Sequence, residues 1–489
     1  MALSATCGTK AEVTDSTLAE HVGLWRSVRK MAADNPALRN VIYRTSLSQL
    51  TLSFDDMSQT EAFRQELGDG LRQGMAGVNT FKRLSDNTSV WGTASYMYRQ
   101  RSNVRWNSTT DFDILRPYVL ADTLGGDTQG ERYLFSGGYA SRLGDLSLGA
   151  EMAFRAEQEY RDTDPRMRGV VTDLTLRGGA AYLTHGMWIG ASLSANVYKQ
   201  TNSVDFYNEN GVIPEYQMTG LGTEYTRFSG DKRSLYHDGG GAALTLDLTP
   251  EDDKGLYAHI TLDEHRYERK LADYNAMPLT KIYNEHAGVT VGWRKDEERR
   301  LDACVGADYT RRSGDENVGG ESYAGSYPII ATLTMYKESD VDVYARAAYG
   351  HGGWTMTLKA GYVNNEETYS YPNRNMSTGH VYGTFDTQYM TSMRGGTKLT
   401  FDAGLSHSHC LKNSITMPYA NMEKAFVSMI KDTFRFAKAH YTTVGLAARA
   451  DFPLTGKTYG VFAAARAGIT MCSENESQTD LSLSAGMTF

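Results

Sequence analysis

From Thr479 the chain reads T-D-L-S-L-S-A-G-M-T-F. Leu481, Leu483, Ala485, Met487 and Phe489 share one parity, and Asp480, Ser482, Ser484, Gly486 and Thr488 share the other. Successive side chains of a strand point to opposite faces, so this segment predicts a strand with lipid on one side and a wet interior on the other. A terminal aromatic on such a strand is the usual signal read by outer-membrane insertion machinery. The alternation recurs upstream. After Asp145, residues Leu146, Leu148, Ala150, Met152 and Phe154 fall outward, while Glu151, Arg155 and Glu157 fall inward. Ile189, Ala191, Leu193, Ala195 and Val197 fall outward in the strand from Met187. In the strand from Lys457, residues Tyr459, Val461, Ala463, Ala465 and Ile469 do so, with Arg466 inward. A charge facing lipid at mid-bilayer costs about 2–4 kcal/mol, and the mid-strand charges of these segments keep to the polar parity.

Two kinds of connection separate the strands. Tight ones are Gly144-Asp145, His185-Gly186, Gly352-Gly353, Gly395-Gly396 and Thr455-Gly456-Lys457; long polar ones are 101–129, 204–235, 313–338 and 411–439. Their near-regular alternation predicts an all-β fold. It is a transmembrane antiparallel up-and-down β-barrel with short periplasmic turns and long extracellular loops, of about 18 strands with 16 as the alternative count. The strands are expected to begin near 45, 70, 88, 130, 145, 170, 187, 236, 255, 283, 299, 340, 354, 380, 396, 440, 457 and 479, the first and the one near 340 being the weakest. Strands of about 10–15 residues argue against a soluble β-sandwich or solenoid. The barrel is assigned to 44–489. Residues 1–43 form a separate N-terminal segment, with a capping box at Thr17-Leu18-Ala19-Glu20 and one short amphipathic helix through Leu18, Val22, Trp25 and Val28. Pro36 is expected to end that pattern, and the helix to lie in the lumen or at its periplasmic mouth. In the last long loop, Asn421 to Ala439 reads as a helix able to fold over the mouth.

Composition sharpens this picture at a few points. No run of about 18 apolar residues occurs, which excludes a helical membrane protein. The mean hydropathy of -0.46 does not exclude a barrel, because only every second strand residue meets lipid. The 31 tyrosines suit aromatic girdles. A net charge of -8 leaves no basic patch, so no nucleic-acid partner is expected; the surroundings are outer-membrane lipid and lipopolysaccharide. The four cysteines Cys7, Cys304, Cys410 and Cys472 have no zinc spacing and are read as unpaired, although Cys410 and Cys472 lie near strand tops. Cys7 follows a poor lipobox. Met1 to Asp15 holds no apolar stretch of secretory type, so the numbering is expected to begin after the leader's cleavage site or from a truncated gene start.

Candidate chemistry is sparse. Inward charges are numerous, among them Glu151, Arg155, Asp173, Arg177, Asp308, Asp402, Arg449 and Arg466; they are expected to form ion pairs on the wet wall that stiffen the barrel, the alternative being a transverse field for solutes. His265 and His286, with Asp263, share the inward parity on neighbouring strands and form a weak metal candidate. His407 and His409 form another, on the lipid parity near an outer strand end. No nucleophile elbow occurs, and Ser406 and His407 fall on opposite faces. Asp231 and His237 are placed in an outer loop, where a catalytic pair is conceivable. No enzyme and no cofactor are expected.

Several stretches carry a resemblance: Trp25 with Asn35-Pro36-Ala37-Leu38; Tyr98-Arg99-Gln100 with Arg105-Trp106-Asn107-Ser108; Arg116-Pro117-Tyr118-Val119-Leu120-Ala121-Asp122; Tyr160 to Arg166; Tyr225-Thr226-Arg227; and the closing Leu481 to Phe489. With these the chain resembles the uncharacterised outer-membrane β-barrel proteins of Bacteroidetes, defined only as a domain of unknown function. The resemblance implies a large barrel in a Gram-negative outer membrane, often encoded near TonB-dependent receptors, with no established activity or functional residues. Aromatics and arginines at 105–118 are expected to pack their loop inward as a constriction. The functional expectation is a passive pore or an accessory component of nutrient or metal uptake beside a TonB-dependent transporter or surface lipoprotein. The alternatives are a surface-binding or adaptor barrel with a plugged lumen, and a barrel-embedded hydrolase.

Overall fold

The computed structural model describes residues 15–208, 215–228, 234–323, 327–421, 424–454 and 459–489. Cys7, Asp231 and the turn Thr455-Gly456-Lys457 lie outside them. The first strands are β1 (Leu47–Gln59), β2 (Gly70–Ser85), β3 (Thr88–Val104), the two-residue β4 (Leu120–Ala121) and β5 (Gly126–Leu143). β6 (Leu146–Tyr160), β7 (Arg166–Thr184) and β8 (Met187–Asp205) follow, then the short β9 (Tyr216–Gly220) and β10 (Thr223–Glu224). Next come β11 (Ser234–Pro250), β12 (Lys254–Leu271), β13 (Met277–Lys295), β14 (Arg299–Gly319), β15 (Ile329–His351) and β16 (Trp354–Tyr369). The last are β17 (Arg374–Ser392), β18 (Lys398–Thr416), β19 (Tyr441–Pro453), β20 (Gly460–Cys472) and β21 (Ser477–Thr488).

Eighteen of these form one antiparallel sheet, each strand pairing with the next along the chain once β4, β9 and β10 are set aside. β21 pairs back onto β1, with Leu50 opposite Met487 and Leu52 opposite Ala485. Beyond the ladder, Phe489 and Ser48 exchange backbone hydrogen bonds of 2.8 and 2.9 Å. Closure satisfies the backbone of every strand without an edge, which a bilayer core demands.

The faces follow the parity of the sequence. Leu193, Val197 and Leu446 are exposed on the outer surface, while Trp188, Ser192 and Gln200 are buried on the inner one. On the outside, Tyr96 and Tyr133 pack against each other at 5.1 Å, and Trp354 and Tyr389 at 4.6 Å beside the Gly352-Gly353 turn. His407 and His409 also point outward.

Strand beginnings agree with the sequence reading most closely at the tight turns, as at Thr88, Met187, Arg299 and Trp354. They differ at the outer end. β13, β15 and β17 begin at Met277, Ile329 and Arg374, and β14 runs to Gly319, so the expected loop 313–338 is mostly ladder. Above the bilayer, hydrogen bonding continues after the apolar alternation has ceased. The N-terminal segment also differs. It is not one helix but α1 (Asp15–His21), α2 (Arg26–Arg29), a 3₁₀ turn (Lys30–Asp34) and α3 (Pro36–Ile42). Pro36 starts α3 rather than ending a helix: it sits in the first turn, where its missing N–H costs nothing, and Asn35 caps it. The expected capping box is replaced as well, because the Glu20 carboxylate accepts from the backbone N–H groups of Arg44 and Thr45 at the entry to β1.

The face assignment is testable. Leu193→Arg on β8 is expected to cost about 2–4 kcal/mol in folding free energy from urea titration into vesicles, and Ser194→Arg next to it much less. Equal costs contradict the assignment.

Candidate functional site

The bore is occupied from both ends by the chain itself. At the periplasmic end, α3 lies against the inner wall of β5–β8. Glycines permit this approach. A Cβ at Gly149 would sit 2.5 Å from the carbonyl carbon of Pro36, and one at Gly179 only 2.2 Å from Asn35 Oδ1. The Asn35 side chain accepts from Ala37 N–H and donates to Asp247 on β11 at 3.1 Å. Ser147 donates to the Ala37 carbonyl at 2.6 Å. Arg39 pairs with Glu151 at 2.7 Å and lies over the Trp91 ring. Across the bore, Trp25 donates to Asp296 at 3.0 Å, and Leu24 N–H donates to Gln388 at 2.8 Å. Between Trp25 and the wall strands carrying Thr355, Gln388 and Lys398 a gap of about 520 Å³ remains.

At the outer end, three inserted stretches share one apolar core. They are 105–125 with α4 (Phe112–Leu115), the described parts of 206–233, and the described parts of 417–440 with α5 (Ala425–Ala437). Trp106, Leu115, Tyr118, Met218, Phe426 and Met429 are buried in that core. β4, β9 and β10 form a small sheet within it, with Leu120 opposite Gln217. The expectation of an inward-packed constriction at 105–118 therefore holds. The expected helix 421–439 is α5, somewhat shorter than its pattern.

Arginines fasten this plug. Arg155 on β6 makes two hydrogen bonds to Asp111, at 2.8 and 2.7 Å. Arg161 pairs with Asp122 at 2.8 Å with both side chains fully buried, and Ser108 donates to the same carboxylate. Arg374 donates to the carbonyls of Leu221 and Gly222 at 2.8 and 2.9 Å. Arg312 reaches the carbonyl of Asp113 at 2.9 Å. Sequence reasoning found Arg155 and missed Arg161, Arg312 and Arg374, which lie at or beyond the strand tops, where no apolar alternation marks an inward face.

The remaining inward charges line the bore between the two closures. Glu151 holds Arg39, with Arg177 at 3.9 Å. Asp173 contacts Arg155 at 3.3 Å. Asp402 accepts from Gln388 at 2.7 Å, and Arg449 pairs with Asp451. Arg466 and Asn79 point inward and stay exposed, so the middle of the bore is wet. His286 bridges two carboxylates, Asp263 at 2.9 Å and Asp308 at 3.2 Å, while His265 Nε2 is 4.0 Å from Asp263 and its ring lies parallel to Tyr267. The rings of His407 and His409 are 6.3 Å apart; His409 stacks on His440 at 4.1 Å, and His407 hydrogen-bonds Thr442. Among the described residues, no group of three or more His, Cys, Asp or Glu is arranged to hold a metal ion. Cys304, Cys410 and Cys472 are free thiols. His237 is not a loop residue. It lies on β11, facing inward and buried, because the ladder runs on past the apolar pattern.

Two consequences can be checked. Gly179→Val is expected to push α3 off the wall, exposing residues 36–42 to protease added from the periplasmic side while the barrel stays folded; unchanged protection contradicts the packing. The second concerns pH. Burial, with Asp122 nearby, pushes the Glu215 carboxyl well above the usual carboxylate range against the pull of Arg161. Burial also raises Glu66, opposed mainly by Arg64. Neutral Glu215 favours the closed plug. That contribution is full below the ordinary carboxylate range and is lost as pH rises through the raised value. Protease cutting within 105–125 is expected to quicken as pH rises from about 4 to about 8, and Glu215→Gln to flatten the profile. A profile unaffected by Glu215→Gln contradicts this assignment.

Distant likenesses exist among solved structures. The ferric preacinetobactin receptor BauA of Acinetobacter baumannii is 10% identical with a TM-score of 0.46, over 91% of this chain and 81% of that one. The outer-membrane transporter YddB of Escherichia coli is 8% identical with a TM-score of 0.38, over 90% and 81%. OpdK of Pseudomonas aeruginosa, solved with vanillate, is 10% identical with a TM-score of 0.34, over 91% and 99%. At such scores no residue's role passes from them to this chain. No functionally curated protein matches it. Residues 36–489 match the model of a family of unknown function, DUF6850, and the chain belongs to that family.

Proposed function

We propose that this chain is an outer-membrane barrel closed by its own loops. It would bind a molecule or partner at the cell surface as an accessory component of nutrient uptake, beside a TonB-dependent transporter or a surface lipoprotein. The observation that carries this reading is the outer plug. Its loops share a buried aromatic and methionine core, and the fully buried Arg161–Asp122 pair lies within it. An open diffusion pore has no use for such a core, and its loss on opening would expose apolar side chains to water. Loops that project beyond strand tops and fold over a rigid scaffold are where binding residues commonly sit.

A gated conduit is the second reading. The exposed Arg466 and Asn79 at mid-bore and the gap of about 520 Å³ beside Trp25 support it. In that case the outer plug is the gate, and a partner or ligand must displace it.

Planar-bilayer recording of the purified protein separates these readings. The closed barrel predicts no sustained conductance, with brief openings at most. Removing 105–125 is expected to give a steady current, carried through the wet mid-bore and past the N-terminal segment by the gap beside Trp25. A steady current from the unmodified protein overturns the closed reading.

A further inference from the structure

Inside the outer plug lies a chamber of about 190 Å³. It is walled by the turn after β1, by the 105–125 loop, by β15–β17 and by α5. One side is apolar, with Trp106, Phe112, Met376, Met429 and Ile430. The other side is charged. Its two arginines already have partners: Arg64 donates to Asp113 at 2.8 Å and Arg116 to Glu338 at 2.9 Å. Three carboxylates line the chamber, Glu66, Glu338 and Glu367, and Glu338 has a second arginine, Arg312, at 3.8 Å. Glu367 stands directly across the ladder from Glu338, so two like charges share one inner face. Asn365 donates to Glu338 and to Asp340, adding a neutral partner where two acids crowd together.

Glu66 is the anomaly. It belongs to the 3₁₀ turn Gln65–Leu67 and lines the chamber. Its Oε2 is buried and, among the described residues, has no hydrogen-bond partner. A buried carboxylate oxygen without a partner is costly, and such a group in a formed cavity points to a missing donor. The Arg64 guanidinium already lies over the Phe112 ring at 5.2 Å, and Trp106 with the methionines makes up an adaptable apolar wall. The volume is below the range of about 300–1,000 Å³ that drug-sized ligands take, so a peptide or sugar chain is too large.

We propose that this chamber binds a small amphipathic organic cation, an ammonium or guanidinium group on a short apolar body, with the charge at Glu66 and the body against Trp106 and Met429. This deepens the reading of the plug as a binding element and rests on it.

The test is calorimetric titration of the purified full-length barrel in detergent with three probes of one shape: phenethylammonium, phenethyl alcohol and 3-phenylpropionate. Saturable one-to-one binding of the cation is expected, at least about tenfold tighter than the alcohol, with none of the anion. Glu66→Gln should weaken cation binding by about tenfold or more, and Glu66→Asp should retain most of it. Asp402→Asn, remote in the bore, should leave it unchanged. If Glu66→Gln fails to fold, Glu367→Gln gives the same reading from the opposite wall. No saturable cation binding, equal binding of the alcohol, or full affinity in both glutamine variants overturns the proposal. An open, conducting barrel that still binds the cation would overturn the closed-lumen reading and leave the chamber standing. A closed barrel that binds no cation would overturn the chamber alone.

Discussion

Everything in this molecule depends on a hydrogen-bonded ladder that has no end. A strand edge left open in hydrocarbon would expose a row of unpaired backbone groups, each costing several kcal/mol. The pairing of β21 with β1, extended by Phe489 and Ser48, removes that edge. Once closed, the ladder leaves each residue only two choices, lipid or bore. The period-two alternation of Leu, Val and Ala against Ser, Asp and Arg is the direct result.

Closure creates a second problem, which the inner face solves. A bore of eighteen strands is wide, and its wall carries many charges. Water can solvate some, as at Arg466. Others are matched within the wall, as in Arg449–Asp451 and His286–Asp308, and others by chain inserted from the ends. Glu151 takes Arg39 of the N-terminal segment, and Arg155 takes Asp111 of the first long loop. Some charges that read as bore lining, Glu151 and Arg155 among them, are therefore the wall's half of contacts with inserted chain. The same contacts give the plug a fixed seat, so that a chamber within it can keep its shape.

The sequence carries the barrel well and the plug poorly, for a physical reason. Lipid imposes a one-residue rule, visible locally in Ile189 to Val197 or Leu481 to Phe489. The turns at Gly144-Asp145 and Gly352-Gly353 carry their own backbone signature, with Gly144 at φ 64° and Gly352 at φ 56°. Above the bilayer that rule ends, and so the outer ladders of β13, β15 and β17 and the inward face of His237 escaped it. Trp106 and Tyr118 were legible as inward-packing loop residues because large aromatics need burial. Arg312 and Arg374 were not, since their partners are carbonyls about 200 and 150 residues away along the chain, and no local pattern encodes a contact at that separation. Pro36 misled because a proline both ends one helix and begins another; the cap at Asn35 decides which.

The most direct test of the closed, two-faced ladder is a nitroxide scan along β8 in reconstituted vesicles, from Ala191 to Asn196, comparing collision with oxygen and with a water-soluble nickel complex. The structure predicts strict alternation. Labels at Ala191, Leu193 and Ala195 should collide with oxygen, and those at Ser192, Ser194 and Asn196 should be shielded from lipid. Uniform accessibility along the strand, or alternation of the opposite phase, would contradict the account.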